Sequence, residues 1–192
     1  MARRRTASED VSAALLHAAE AVLDRDGTAG VTVRAVAAQA GVSPMGVYTR
    51  FDNKDGLLNA LAIRAFDDLA GAIEVPAEVE PRERLRLACR GYRDFALAHP
   101  ARYSLIFSTG SPAADPASPA TERGREVFAV LVGMVREAVG ESTIDPVEAG
   151  QAMWNAMHGA VTIELARVGQ TTDPAASYEQ TLELVISGLR QA

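Results

Sequence analysis

Nowhere in the 192 residues do branched or aromatic side chains alternate over four to eight positions, and no Asn-Gly or Asp-Gly pair joins two such runs. Apolar residues recur instead every three to four positions, between residues that start and stop helices. The chain is therefore expected to be all-α, with about nine helices. Ser8 is placed to cap the first, Glu9 and Asp10 suit the positive end of its dipole, and Val11, Leu15, Ala18 and Val22 follow at helical spacing. Gly27 ends it where a left-handed residue costs least. Thr32 opens a second, short helix, VRAVAAQA, which Gly41 closes. Ser43 is expected to cap a third, with Pro44 at the first helical position, where its missing amide donor costs nothing.

After Phe51 the polar DNKDG interrupts the pattern, and LLNALAIRAFDDLAGAI resumes it as a long connecting helix. Pro76 and Pro81 bracket a hydrophilic joint between two regions. Further helices are expected from Arg82 to Ala98, around ARYSLIFS, over Glu122–Val139, over Pro146–Val168 beside Asp145, and over Pro174–Leu189. GSPAADPASPA, with three prolines, is expected to be the most mobile segment.

Composition narrows the function classes. One cysteine, Cys89, makes no internal disulfide framework, and His17, His99 and His158 fall on separate elements without metal-ligand spacing. The residues after Arg3–Arg5 are interrupted by His17, Glu20 and Asp24 and do not form a signal-peptide core, nor does any run approach a membrane span. A cytoplasmic protein with no membrane partner and no cofactor is expected. The motifs of hydrolase, nucleotide-phosphate and zinc-protease chemistry (GxSxG, the Gly-rich phosphate loop, HExxH) and CxxC are missing, which argues against an enzyme. The net charge of −6 is uneven: residues 1–56 hold seven basic and seven acidic side chains, and residues 57–192 hold twelve and eighteen. The N-terminal part thus escapes the acidity that would repel nucleic acid.

The informative stretch is TVRAVAAQAGVSPMGVYTRFDNKDGLL, from Thr32 to Leu58. Two helices of about eight residues joined by a Gly-containing turn make a helix-turn-helix, whose second helix fits the DNA major groove. Val36, Ala37, Val42, Val47 and Phe51 are spaced as its packing face. Ser43 and Thr49 offer hydroxyls to phosphate or bases, Tyr48 a phenol, and Lys54 a cation where the next helix exposes free amides. Met45 and Gly46 have little hydrogen-bonding capacity, so apolar contact, such as with a thymine methyl, is expected there. Arg34 and Arg50 are either phosphate contacts or surface charges, and Arg3–Arg5 either a solvated tail or a basic arm.

Gly27, Thr32, Val33, Ala37, Ala40, Gly41, Val42, Ser43, Tyr48, Phe51 and NKDGLL together resemble the N-terminal domain of TetR-type transcriptional regulators. The resemblance implies a homodimer reading a palindromic operator, with Thr32, Tyr48 and Lys54 on phosphates and Ser43, Pro44, Met45, Gly46 and Thr49 toward bases. It implies a DNA-binding domain over residues 1–56 and a helical effector-binding and dimerisation domain over 57–192. HPARYSLIFS and MWNAMHGAV further resemble the subclass named for Trp-His-Gly, here Trp154, His158 and Gly159. A pocket for a hydrophobic or aromatic effector is expected among Tyr92, Phe95, Tyr103, Phe107, Phe128, Leu131, Trp154, Met157 and His158. Two stripes need cover: Ala149, Ala152, Ala156 and Gly159 or Ala160 beside Trp154, His158, Val161 and Leu165, and then Tyr178, Leu182, Val185, Ile186 and Leu189. Pairing the last two helices with a second copy would supply it. The expected activity is that of a ligand-responsive repressor; a constitutive regulator or activator without a ligand is the alternative.

Overall fold

The computed structural model describes the backbone of residues 2–140 and 144–189, with side chains from residue 11 onward. Among these residues are nine α-helices and no strand: α1 (Ala2–Gly30), α2 (Val33–Ala40), α3 (Pro44–Phe51), α4 (Lys54–Ala72), α5 (Pro81–Ala98), α6 (Pro100–Phe107), α7 (Pro119–Val139), α8 (Pro146–Ala166) and α9 (Pro174–Gly188), with a 3-10 turn at Pro112–Ala114. None of them is long and apolar enough to cross a membrane.

Capping chemistry sets most of these boundaries. Thr32 accepts the Ala35 N–H at 3.1 Å, Asp145 accepts the Val147 N–H at 2.7 Å, and Asp173 accepts the Ala176 N–H at 3.0 Å. Each satisfies a donor that the first turn leaves unpaired. Gly27, at φ 68°, breaks the first helical run, and Gly41, at φ 67°, ends α2 in the left-handed conformation.

Two expected starts are corrected. The helical backbone of α1 reaches Ala2, so Ser8 lies inside it; nothing in ARRRTA breaks a helix, and Ala and Arg are strong helix formers. The side chains of Ser8 and Arg3–Arg5 lie outside the described residues. Ser43 does occupy the N-cap of α3, but its hydroxyl makes no capping bond; the turn is closed by the Gly46 N–H on the Ser43 carbonyl at 2.9 Å.

The chain forms two compact units, and neither is one continuous segment. The first comprises Met1–Asp67 with His99–Gly124, the second Asp68–Ala98 with Arg125–Ala192. In the first, α1 packs on α2 and α6, and α2 packs on α3. Its core holds Leu15, Val22, Leu23, Val31, Val36, Val47, Leu57 and Leu61, all buried. Polar groups tie its elements together: the buried Glu20 of α1 receives Arg64 Nε of α4 at 3.2 Å, and Arg102 of α6 forks onto Asp24 of α1 at 3.2 and 2.8 Å. The three-proline loop, expected to be loose, is hydrogen-bonded. Ser111 donates to the Ile106 carbonyl at 3.0 Å, Thr121 to the Ala113 carbonyl at 2.9 Å, and the buried Ser118 to Asn59.

In the second unit α5 packs against α8 and α9, and α8 against α9. Arg86, Arg90 and Arg93 recur at i, i+4 and i+7 along α5 and meet carboxylates of the other two helices. Arg86 reaches Glu183 at 2.6 Å, Arg90 forks onto Glu179 at 2.8 and 2.8 Å, and Arg93 onto Glu164 at 2.8 and 2.6 Å. The buried Tyr178 hydroxyl donates to the Cys89 carbonyl at 2.6 Å. This packing corrects the reading of α9: Tyr178, Leu182 and Ile186 are at most 4% exposed within one chain, because α5 and α8 already cover them.

Candidate functional site

The helix-turn-helix is held by a small core and leaves one face open. Val33, Val36 and Ala37 of α2 and Val47 of α3 are buried, and the Gly41 turn carries the chain between the two helices. The Val42 N–H returns to the Ala37 carbonyl at 3.0 Å, which closes the turn but leaves the Val42 side chain 39% exposed. Val42 is thus no core residue, contrary to its spacing: it sits in the turn, where helical periodicity no longer decides which way a side chain faces. Phe51 is half-buried.

Of the residues expected to face bases, Met45 is 69% exposed, Ser43, Pro44 and Thr49 are exposed, and Gly46 is half-buried. Thr49 donates its hydroxyl proton to the Met45 carbonyl at 2.8 Å. Tyr48 is 46% exposed on the same helix, and Thr32 is exposed at the start of α2, although its hydroxyl oxygen already serves the Ala35 amide.

Asp52, in a positive-φ conformation (59°), ends α3, and its N–H closes on the Tyr48 carbonyl at 2.9 Å. Asn53 then caps α4 by accepting the Gly56 N–H at 2.9 Å. Lys54 is therefore the first residue of α4 and exposed, a cation beside amides of a helix start. Sequence reasoning missed the part of Gly56. A Cβ there would lie 2.1 Å from the Phe51 carbonyl oxygen, so α4 starts against the end of α3 as only glycine allows. The one signal available was DNKDG itself, an Asn followed three residues later by a Gly.

In the second unit the structure gathers four of the nine residues expected to meet an effector. The Tyr92 hydroxyl lies 2.9 Å from His158 Nδ1, the His158 and Trp154 rings are 5.8 Å apart at 62°, and Trp154 and Phe128 are 5.9 Å apart. Burial pushes the His158 pKa below its ordinary value, favouring a neutral imidazole that presents one donor and one acceptor. Phe95 and Met157 are buried in this unit, and Leu131 is half-buried. Tyr103 and Phe107 belong to the first unit, where Phe107 packs 4.9 Å from Tyr103 and 6.1 Å from Phe66.

The family model described as bacterial regulatory proteins, tetR family, matches residues 15–61, and that described as tetracyclin repressor-like, C-terminal domain, matches residues 85–185. An uncharacterized HTH-type transcriptional regulator of Mycobacterium tuberculosis is 28% identical over 170 residues, 88% of this chain and 77% of that protein. Among solved structures, a protein of unknown function from Rhodococcus sp. RHA1 has a TM-score of 0.79 at 27% identity, covering 94% of this chain and 96% of that one. BioQ of Mycobacterium smegmatis has a TM-score of 0.68 at 26% identity, covering 92% and 95%. BioQ in complex with its natural double-stranded DNA operator has a TM-score of 0.64 at 26% identity, covering 93% and 96%.

Proposed function

This chain belongs to the TetR family of bacterial transcriptional regulators, and from that premise we propose that it is a ligand-responsive repressor acting as a homodimer on a palindromic operator. Its DNA contacts fall within residues 1–56 and its effector and dimer contacts within residues 57–192, although the compact unit that carries the DNA contacts also takes in His99–Gly124. Lys54, Tyr48 and Thr32 contact phosphates, and α3 presents Ser43, Pro44, Met45, Gly46 and Thr49 to base edges. The observation that carries this reading is the exposed face of α3 on a buried α2–α3 core, with Lys54 at the adjoining helix start. The 26% identity to BioQ, solved on its operator, supports it.

The effector binds beside Trp154, His158 and Tyr92 and carries aromatic or aliphatic surface with a neutral polar group. The aromatic surface of Trp154 and Phe128 beside the paired Tyr92 phenol and neutral His158 imidazole supports that choice of ligand chemistry. Ligand binding lowers operator affinity only if the ligand prefers a state whose paired recognition helices no longer match half-sites about 34–36 Å apart. Titrating apolar compounds is expected to change Trp154 fluorescence and operator affinity over one concentration range, with His158→Ala shifting the response and sparing ligand-free DNA binding. Operator release without any change at Trp154 would place the effector elsewhere. Operator binding indifferent to every compound, with repression intact, would favour the constitutive regulator.

The second copy docks on the outward faces of α8 and α9. Ile163 is 49% and Leu184 66% exposed there, and Ala152 and Ala156 let helix backbones approach. Leu184→Glu changes a side chain that the single chain leaves open, and it is expected to yield a folded monomer by sedimentation. Ala156→Glu is expected to dissociate the dimer as well; intact dimers of both variants would move the interface away from these helices.

A further inference from the structure

The exposed side of α3 begins with apolar surface. Met45 and Thr49 are spaced i and i+4 on α3 with Gly46 next to Met45, and Val42, in the turn before the helix, lies beside Gly46. Val42 and Met45 expose carbon and sulfur only, at 39% and 69%. Thr49 has committed its single hydroxyl proton to the Met45 carbonyl at 2.8 Å, which leaves a methyl group and an acceptor oxygen for a partner.

Gly46 lies between them, and the fold does not require it. Its φ is not positive, and an added Cβ would meet only the Val42 side chain at 3.8 Å and Ser43 Oγ at 4.0 Å, ordinary contacts. Glycine nonetheless lowers the helix propensity of an eight-residue helix. What it provides is a shallow notch beside the Val42 side chain and Ser43 Oγ, with room for a methyl group at ordinary contact distance.

We propose that this notch receives the C5-methyl group of a thymine in each half-site, so that the protein separates thymine from cytosine there by apolar fit and not by a donor and acceptor pattern. In the major groove that methyl is the one apolar mark a base pair displays. The proposal rests on α3 entering the groove, and the test separates the two ideas.

The probe is a 30-bp duplex recovered from a random-sequence library by binding to the full-length dimer, with each thymine replaced singly by deoxyuridine, which deletes the methyl and nothing else. One thymine per half-site is expected to lose about fourfold in affinity on replacement, the worth of one buried methyl. Gly46→Ala, which fills the notch, is expected to melt about 2–4 °C higher, to bind the thymine duplex more weakly, and to bind the thymine and uracil duplexes alike. If Gly46→Ala weakens binding while deoxyuridine is neutral at every position, α3 reads the groove by other means and the methyl proposal fails alone. The same failure follows if the deoxyuridine penalty is unchanged in Gly46→Ala. If Met45→Glu, which puts a carboxylate at the 69% exposed position of α3, binds every duplex as the parent does, α3 does not face the bases and both readings fall.

Discussion

Replacing Gly56 by Ala is the sharpest test of how the α3–α4 junction works. An ideal Cβ at this position lies 2.1 Å from the Phe51 carbonyl oxygen and 3.1 Å from its carbon. A carbon and an oxygen rest about 3.3 Å apart at closest, so the start of α4 and the end of α3 must separate by roughly 1.2 Å. The obstructing atom is backbone, and it also accepts the Asn53 N–H at 2.6 Å, so no side-chain rotation relieves the clash. Overpacking of this kind costs about 3 kcal/mol at the upper end, and the better helix propensity of Ala returns about 1 kcal/mol. The net loss of about 2 kcal/mol corresponds to a fall in melting temperature of about 4–8 °C for a chain of this length.

Gly71, on the same helix, is the control. It is exposed with nothing within 4 Å of an added Cβ, so Gly71→Ala is expected to raise the melting temperature by about 2–4 °C. Thermal melts followed by circular dichroism read both variants. Fluorescence anisotropy on labelled operator is expected to show weaker binding for Gly56→Ala alone, because Lys54, two residues away, shifts relative to α3. A Gly56→Ala protein that melts at or above the parental temperature would refute the reasoning.

Lys54→Ala is expected to weaken specific and non-specific DNA binding alike, and to flatten the plot of log affinity against log salt by about 0.9 per phosphate lost, roughly two units for a dimer. The depressed pKa of His158, caused by burial, makes protonation favour the unfolded chain. Its contribution is complete above the unfolded value of about 6.5 and is lost as pH falls below it, so stability is expected to decline from pH 7 to 5, less steeply in His158→Gln. A pH-stability curve identical in the two proteins would exclude that linkage. The Cys89 thiol is buried and its pKa is pushed up to about 12, so a thiolate-selective reagent at pH 8 is expected to label it only as fast as the chain opens.

Local chemistry is legible in the sequence. Gly41 takes the left-handed conformation its place implies and Gly27 a positive φ with extended ψ, Pro44, Pro146 and Pro174 open helices, and Met45, Tyr48 and Thr49 emerge exposed. What stayed hidden depends on atoms brought from far along the chain. The arginine row of α5 is visible as a period but its Glu164, Glu179 and Glu183 partners are not, and α9 therefore reads as an uncovered stripe although Tyr178 and Leu182 are sealed inside. Val42 escapes helical periodicity because it sits in a turn. Gly56 and Phe66 escaped notice because a close approach, and a ring packed against Phe107, leave no mark on neighbouring letters.

The return of the chain to its first compact unit bears on how regulators of this kind are recombined. A hybrid made by joining the first sixty or so residues of one member to the remainder of another inherits Asp24 and Asn59 from one parent and Arg102 and Ser118 from the other. Such a graft divides the unit that carries α2 and α3, and a mismatch at that seam is expected to impair DNA binding although every DNA-facing residue comes from one parent. A donor piece that also supplies His99–Gly124 keeps those contacts together, so exchange of operator preference between relatives calls for two cuts in the gene and not one.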